Sequence, residues 1–245
     1  MKNPLFYNKV VPVDKTVHRE YRLDTGAGRF GFAREANLVP AVIDEFGAAA
    51  PHLTIAFLPG GKSPAAVFVV GLQPASNLFL SGDDRWNGGY VPAYLRRYPF
   101  IVGDVPNGNS LLCIDEAHPG ATSGGERIFS DSGEPEPVLV QARDLAADYK
   151  RSADRTDEFC ATLQRLGLFT GVSLNAKAAG GGNTAVHGLF IVDEKAFDAL
   201  SPGDAAELHE KGFLKPIVQH LVSLASIGHL GDRNSAKVEQ STMAG

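Results

Sequence analysis

Along this chain, pairs of short apolar runs are repeatedly separated by a few residues of glycine, proline, asparagine or serine, and that pattern limits the fold more than any other feature. Leu53 to Leu58 and Ala65 to Leu72 flank Pro59-Gly60-Gly61-Lys62-Ser63, and Phe100 to Val105 and Leu111 to Asp115 flank Pro106-Asn107-Gly108-Asn109. Phe169 to Ala176 and Ala185 to Val192 flank Gly180-Gly181-Gly182-Asn183. Each pair carries the β-branched content of strands around residues that reverse a chain, so each reads as a hairpin. Strands joined by hairpins, rather than alternating singly with helices, predict an α+β architecture with a mostly antiparallel sheet packed with amphipathic helices.

The helical signals lie between and after these runs. From Val138 to Leu166 the apolar positions Ala142, Leu145, Tyr149, Phe159, Leu163 and Leu166 recur at helical spacing, and Gly167 supplies the stop. Asn37 is placed to cap a helix over Val39 to Ala50, with Pro40 in its first turn. Asp193 caps a short helix, and Ser201-Pro202-Gly203-Asp204 opens a final helical region divided near Gly212 and Pro216. Val10 to Leu23 reads as extended structure, Pro119 to Pro137 as a surface loop, and the polar residues 231–245 as a flexible tail. A chain of 245 residues is near the upper end of what one core supports, so one α+β domain over residues 1–230 is expected, with halves 1–118 and 138–230 joined by the loop.

Charge and hydropathy exclude several partners. A net charge of −5 with scattered Lys and Arg gives no field for nucleic acid or an anionic membrane. The longest apolar runs, such as Ala65 to Leu72, fall far short of the roughly 20 residues that span a bilayer, so no membrane insertion is expected. The first residues lack the apolar core of an export signal, and Cys113 and Cys160 sit at unrelated points in apolar surroundings. Both features point to the cytoplasm.

Among local motifs, Gly26-Ala27-Gly28-Arg29-Phe30-Gly31 has the dinucleotide-binding glycine spacing but no buried strand before it, so it reads as a turn. Gly60-Gly61-Lys62-Ser63 resembles the end of a phosphate-binding loop, yet the required first glycine is Ala56. His18 and Glu20, alternate residues on a strand, have the spacing of a His and a carboxylate in non-haem iron sites, and His187 is the third ligand of suitable type. Serine-hydrolase, zinc-protease and Cys-x-x-Cys signatures are absent, which lowers the expectation of an enzyme. Asp115 and Glu116 close an apolar strand, and solvation of the strand end accounts for them more simply than acid–base chemistry.

The densest cluster runs from Asp83 to Phe100 and holds the only Trp and three of the six Tyr. A short helix entered through Pro92 and stopped by Pro99 would place Tyr90, Tyr94 and Tyr98 in one stripe with Arg97 beside it, and Trp86 lies close by. Tyrosine faces with a guanidinium can stack on a flat group and hold a carboxylate, so Trp86, Tyr90, Tyr94, Arg97 and Tyr98 are the expected ligand-binding residues. The competing reading is that these aromatics pack internally.

This stretch, Arg85-Trp86 to Tyr90-Val91-Pro92-Ala93-Tyr94-Leu95-Arg96-Arg97-Tyr98-Pro99-Phe100, resembles a signature of the bacterial SapC family, named from surface-layer systems. Val10-Val11-Pro12-Val13 with His18-Arg19, Asn37-Leu38-Val39-Pro40, Leu112-Cys113-Ile114-Asp115-Glu116 and His220-Leu221-Val222-Ser223-Leu224 are similar in the same order. The resemblance implies a connection with surface-layer export or outer-membrane nutrient uptake, and no reaction. The expectation is a cytoplasmic accessory or ligand-binding protein of such a system, whose partner is a small molecule, a peptide or another protein of the system, with no cofactor. The alternative is a metal-dependent enzyme, a non-haem iron oxygenase using His18, Glu20 and His187.

Overall fold

The computed structural model describes residues 4–24, 30–104, 110–120, 124–177 and 183–243. The first half contributes strands β1 (Val10–Pro12), β2 (Arg22–Leu23), β3 (Leu38–Pro40), β4 (Thr54–Leu58), β5 (Ala65–Val69), β6 (Phe100–Asp104), β7 (Ser110–Asp115) and β8 (Glu126–Arg127). Two four-residue helices, α1 (Phe46–Ala49) and α2 (Ala93–Arg96), lie among them. The second half contains helix α3 (Pro137–Arg165), the strand pair β9 (Phe169–Lys177) and β10 (Asn183–Val192), and helices α4 (Glu194–Asp198), α5 (Pro202–Glu210), α6 (Leu214–Ser223) and α7 (Ile227–Met243). The strands form a five-stranded sheet in the order β3-β5-β4-β10-β9, a three-stranded sheet β1-β7-β6 and the pair β2-β8. All of these pairings are antiparallel, as the hairpin spacing predicts, and the architecture is α+β.

The three expected hairpins are present as β4/β5, β6/β7 and β9/β10. The turns expected around Asn107 and Gly181, and Gly26 to Arg29 of the glycine motif, lie outside the described residues. Helix α3 follows its apolar periodicity: Leu139, Ala146, Tyr149, Phe159 and Leu163 are all buried. It ends where Gly167 adopts φ +66°, a left-handed conformation that would strain any other residue. Phe159 is central to the main core, with Phe46, Phe57 and Phe213 at ring-centroid distances of 6.3, 6.3 and 5.3 Å. Asp193 and Ser201 cap α4 and α5 through the backbone N–H groups of Lys195, Ala196 and Asp204.

Three expectations are corrected. The segment from Asn37 is a strand before it is a helix. Leu38–Pro40 pair with Val67–Val69 at the sheet edge, the Asn37 carbonyl accepts from Val70 and Gly71, and only Phe46–Ala49 is α-helical. An edge strand tolerates Pro40, and the free edge of β5 offers more hydrogen bonds than a first helical turn would. Between β1 and β2 the chain is folded into turns, closed by hydrogen bonds from His18 N–H to the Asp14 carbonyl and from Tyr21 N–H to the His18 carbonyl, so His18 and Glu20 do not share a strand face. Residues 231–245, read as a flexible tail, continue helix α7 as far as Met243, anchored by Leu230, which is buried.

The five-stranded sheet is assembled from both ends of the chain, since β4 comes from the first half and β10 from the second. Among the described residues these strands register at Phe57 opposite Phe190. Nearby, backbone N–H groups find side-chain acceptors on α6 instead. Val192 donates to His220 Nε2 at 3.0 Å and Ile55 donates to Ser223 Oγ at 3.0 Å. Ser223 Oγ in turn donates to the His220 carbonyl at 2.6 Å, and the His220 ring lies 5.0 Å from Phe57. Buried backbone donors need partners, and these two side chains supply them.

Burial pushes the pKa of His220 from an ordinary 6.5 down to about 4, against a smaller opposing effect of the Ile55 backbone. A histidine held neutral contributes stability that is fully present above pH 6.5 and lost as the pH falls through about 4, on the order of 3 kcal/mol. Urea unfolding followed by circular dichroism will therefore show a stability decline across that window. The decline becomes shallower in His220→Gln, which keeps an acceptor for Val192 and does not titrate.

Candidate functional site

The Asp83 to Phe100 segment is built from the inside outward. Its charged residues close the loop locally, with Asp84 paired to Arg34, and Asp83 to Arg85 at 3.1 Å and to Ser81 Oγ at 2.6 Å. Trp86 stacks on Phe79 with ring centroids 5.1 Å apart and planes 13° from parallel. The chain then passes so close to its neighbours that two glycines are required. A Cβ at Gly88 would lie 2.8 Å from both the Phe79 ring and Trp86 Nε1, and a Cβ at Gly89 would lie 2.4 Å from the His52 ring.

The short helix expected between Pro92 and Pro99 forms as α2, with Pro92 at its N-cap, but its tyrosines do not form an open stripe. Tyr94 and Arg97 are only 5% and 6% exposed, while Trp86, Tyr90 and Tyr98 are half-buried. Each tyrosine hydroxyl donates to a different partner: Tyr90 to Glu45 Oε1 at 2.7 Å, Tyr94 to the Leu5 carbonyl at 2.9 Å and Tyr98 to Asp115 Oδ2 at 3.1 Å. The guanidinium of Arg97 lies 4.0 Å from the centroid of Tyr149, 4.4 Å from Tyr94 and 5.8 Å from Tyr7. Aromatic faces stabilise a desolvated cation, and three of them draw this side chain inward rather than leaving it to solvent.

Glu45 orients the outer end of the segment. It is buried, and its Oε1 accepts from the Ala93 N–H at 2.5 Å as well as from Tyr90, thereby fixing the start of α2. Burial raises its pKa, partly offset by the hydrogen bonds from Ala93 and Tyr90. At the other end Asp115 is fully buried and accepts from the backbone of Asn8, Lys9 and Ala117 and from Tyr98. Burial acts to raise its pKa, but these hydrogen bonds outweigh it and hold the carboxyl below its ordinary value. Beside it, His118 Nδ1 accepts from the Gly120 N–H at 3.1 Å and lies 2.6 Å from the Tyr21 hydroxyl. Burial lowers the pKa of His118 and lifts that of Tyr21 to about 12.

The candidate metal ligands are not brought together. His18 is buried with Nε2 3.9 Å from Glu116, Glu20 is bonded to Arg127 at 3.0 Å, and His187 on β10 is 2.9 Å from Ser173 on β9. No group of three His, Cys, Asp or Glu residues suited to a metal ion exists among the described residues.

An open cleft of about 370 Å³ borders the signature segment, lined by His52, Phe79, Gly89, His229, Asp232 and Arg233. Sequence reasoning reached its margin through Trp86 and Tyr90 but missed these residues. His229, Asp232 and Arg233 are spaced to share one helix face, a signal available only if the polar C-terminal stretch is read as helical.

The fold and cleft define an antiparallel α+β protein with an internal tyrosine and arginine scaffold beside a polar recess. Residues 13–230 match the SapC family, and the chain belongs to it. No curated protein and no solved structure matches the chain.

Replacing Glu45 by Ala leaves the Tyr90 hydroxyl and the Ala93 N–H without their acceptor, and is expected to cost about 2–3 kcal/mol. Glu45→Gln, which keeps one carbonyl oxygen, loses less. Urea denaturation monitored by circular dichroism and by Trp86 emission measures both.

Proposed function

We propose that this protein is a ligand-binding accessory component of a surface-layer export or outer-membrane uptake system, and that its ligand occupies the cleft between Gly89 and α7. The observation that carries this reading is the steric requirement at Gly88 and Gly89. Side chains there would collide with Trp86, Phe79 and His52, so glycine keeps the backbone of this segment thin where it borders a recess. The recess joins an aromatic ring to several polar groups, the composition of small-molecule and peptide sites.

Placement in a surface-layer or uptake system rests on membership of the family. A cytoplasmic location is supported by two free, buried cysteines, which suit a reducing compartment. No helix among the described residues is long and apolar enough to cross a membrane. The metal-dependent alternative gains no support from the positions of His18, Glu20 and His187, each held by a different neighbour.

Trp86 is the only tryptophan and stacks on Phe79 in the cleft wall, so its emission reports occupancy without a label. Titration with amino acids, short peptides and acidic sugars is expected to give a saturable change in the parent protein. In Gly89→Val, with folding checked by circular dichroism, affinity should fall at least tenfold. A flat response to every compound in the parent would overturn the ligand-binding reading.

A further inference from the structure

We propose that the cleft recognises an oxyanion, the carboxylate or phosphate group of its ligand, and that Arg233 is the residue that grips it. This rests on the reading of the cleft as a ligand site. The guanidinium of Arg233 lies 4.3 Å from the centroid of the Phe79 ring, the same ring on which Trp86 stacks. A guanidinium held against an aromatic face is oriented through its π surface, which leaves the N–H donors at its edge free. Among the described residues the Arg233 guanidinium makes no hydrogen bond or ion pair, and neighbouring Asp232 does not pair with it.

Among the described residues no carboxylate is paired with the guanidinium, although Asp232 lines the same cleft. Arg233 is partly desolvated, and burial lowers its pKa, so its charge is incompletely compensated by water. His52 and His229 stand in the same cleft as further ring N–H donors. Arg233 and His229 are four residues apart on α7, and Leu230 between them is buried at 1% exposure, which turns that face of the helix toward the recess. Asp232, also in the lining, opposes a bare anion and favours a ligand that places a hydrogen-bond donor beside its oxyanion. The planar fork of an arginine matches the two oxygens of a carboxylate or phosphate, which a lysine cannot do.

The test uses the full chain at neutral pH and constant ionic strength, with inorganic phosphate, acetate, glycine and uncharged glucose as probes. Nuclear magnetic resonance of the His52 and His229 ring C–H groups reports binding locally, with Trp86 emission as a second readout. Saturable shifts are expected with phosphate or with acetate and glycine, and the arm that binds more tightly identifies the ligand's oxyanion as phosphate or carboxylate. In Arg233→Met the apparent dissociation constant should rise at least tenfold, and Arg233→Lys, which keeps the charge but not the fork, should fall between. Circular dichroism checks that both variants fold. If glucose saturates the site and Arg233→Met binds as the parent does, the cleft is a ligand site but oxyanion recognition is wrong. If no probe shifts either histidine, the oxyanion proposal fails, while the assignment of the cleft is decided separately by the Trp86 titration with peptides and acidic sugars.

Discussion

The five-stranded sheet depends on a junction between two hairpins that are far apart in the chain, β4/β5 ending at Val69 and β9/β10 beginning at Phe169. Strands β4 and β10 meet at Phe57 and Phe190, and near that point His220 and Ser223 of α6 take over the backbone donors of Val192 and Ile55. Helix α6 therefore does more than cover the sheet with apolar surface. Apolar packing is indifferent to small displacements, whereas an N–H buried without an acceptor costs roughly 1–3 kcal/mol, so these two bonds fix where the helix sits. The remaining core follows from that placement, because the phenylalanines around Phe159 of α3 are contributed by α1, by the sheet and by the segment leading into α6.

A second constraint concerns charge. Glu45 and Arg97 are both buried at opposite ends of the signature segment, and each is accommodated differently: the carboxylate by hydrogen bonds and the guanidinium by aromatic faces. Arg97 has no carboxylate partner among the described residues, and its Nε lacks a hydrogen-bond partner. Buried charges of this kind are weak contributors to stability but strong determinants of geometry, because few other positions would tolerate them. Together they hold the segment that carries Gly88 and Gly89 against His52 and Phe79.

Much of the fold was legible in the sequence because hairpins and amphipathic helices are local. The pairs β4/β5, β6/β7 and β9/β10 and the length of α3 followed from turn residues and periodicity alone. The misreadings share a physical cause, which is competition from distant partners. Asn37 to Pro40 has the residues of a helix start, but the free edge of β5 captures it. The stretch after Gly231 carries too few apolar residues for a periodic signal, and its helix is held by Leu230 and by the stacking of Arg233 on Phe79. The role of His220 and Ser223 was equally hidden, since it depends on which donors in a sheet of distant strands are left without a ladder partner.

The signature segment shows how the same residue types serve either recognition or packing. Aromatic residues beside arginine suit both recognition and packing, and the two uses differ in where the hydroxyls and the guanidinium are directed. In this protein the hydroxyls of Tyr90, Tyr94 and Tyr98 are directed to Glu45, Leu5 and Asp115, and Arg97 is enclosed by Tyr7, Tyr94 and Tyr149. Such groups already have partners and have little left to offer a ligand. The groups with unused capacity lie one layer outward, where Arg233 rests on Phe79 without a hydrogen bond among the described residues and two histidines face the same recess. A motif rich in chemistry thus serves here as packing beside a recess whose lining comes largely from elsewhere in the chain. The glycines in the motif, rather than its tyrosines, are then the residues that bear most directly on what the recess can admit.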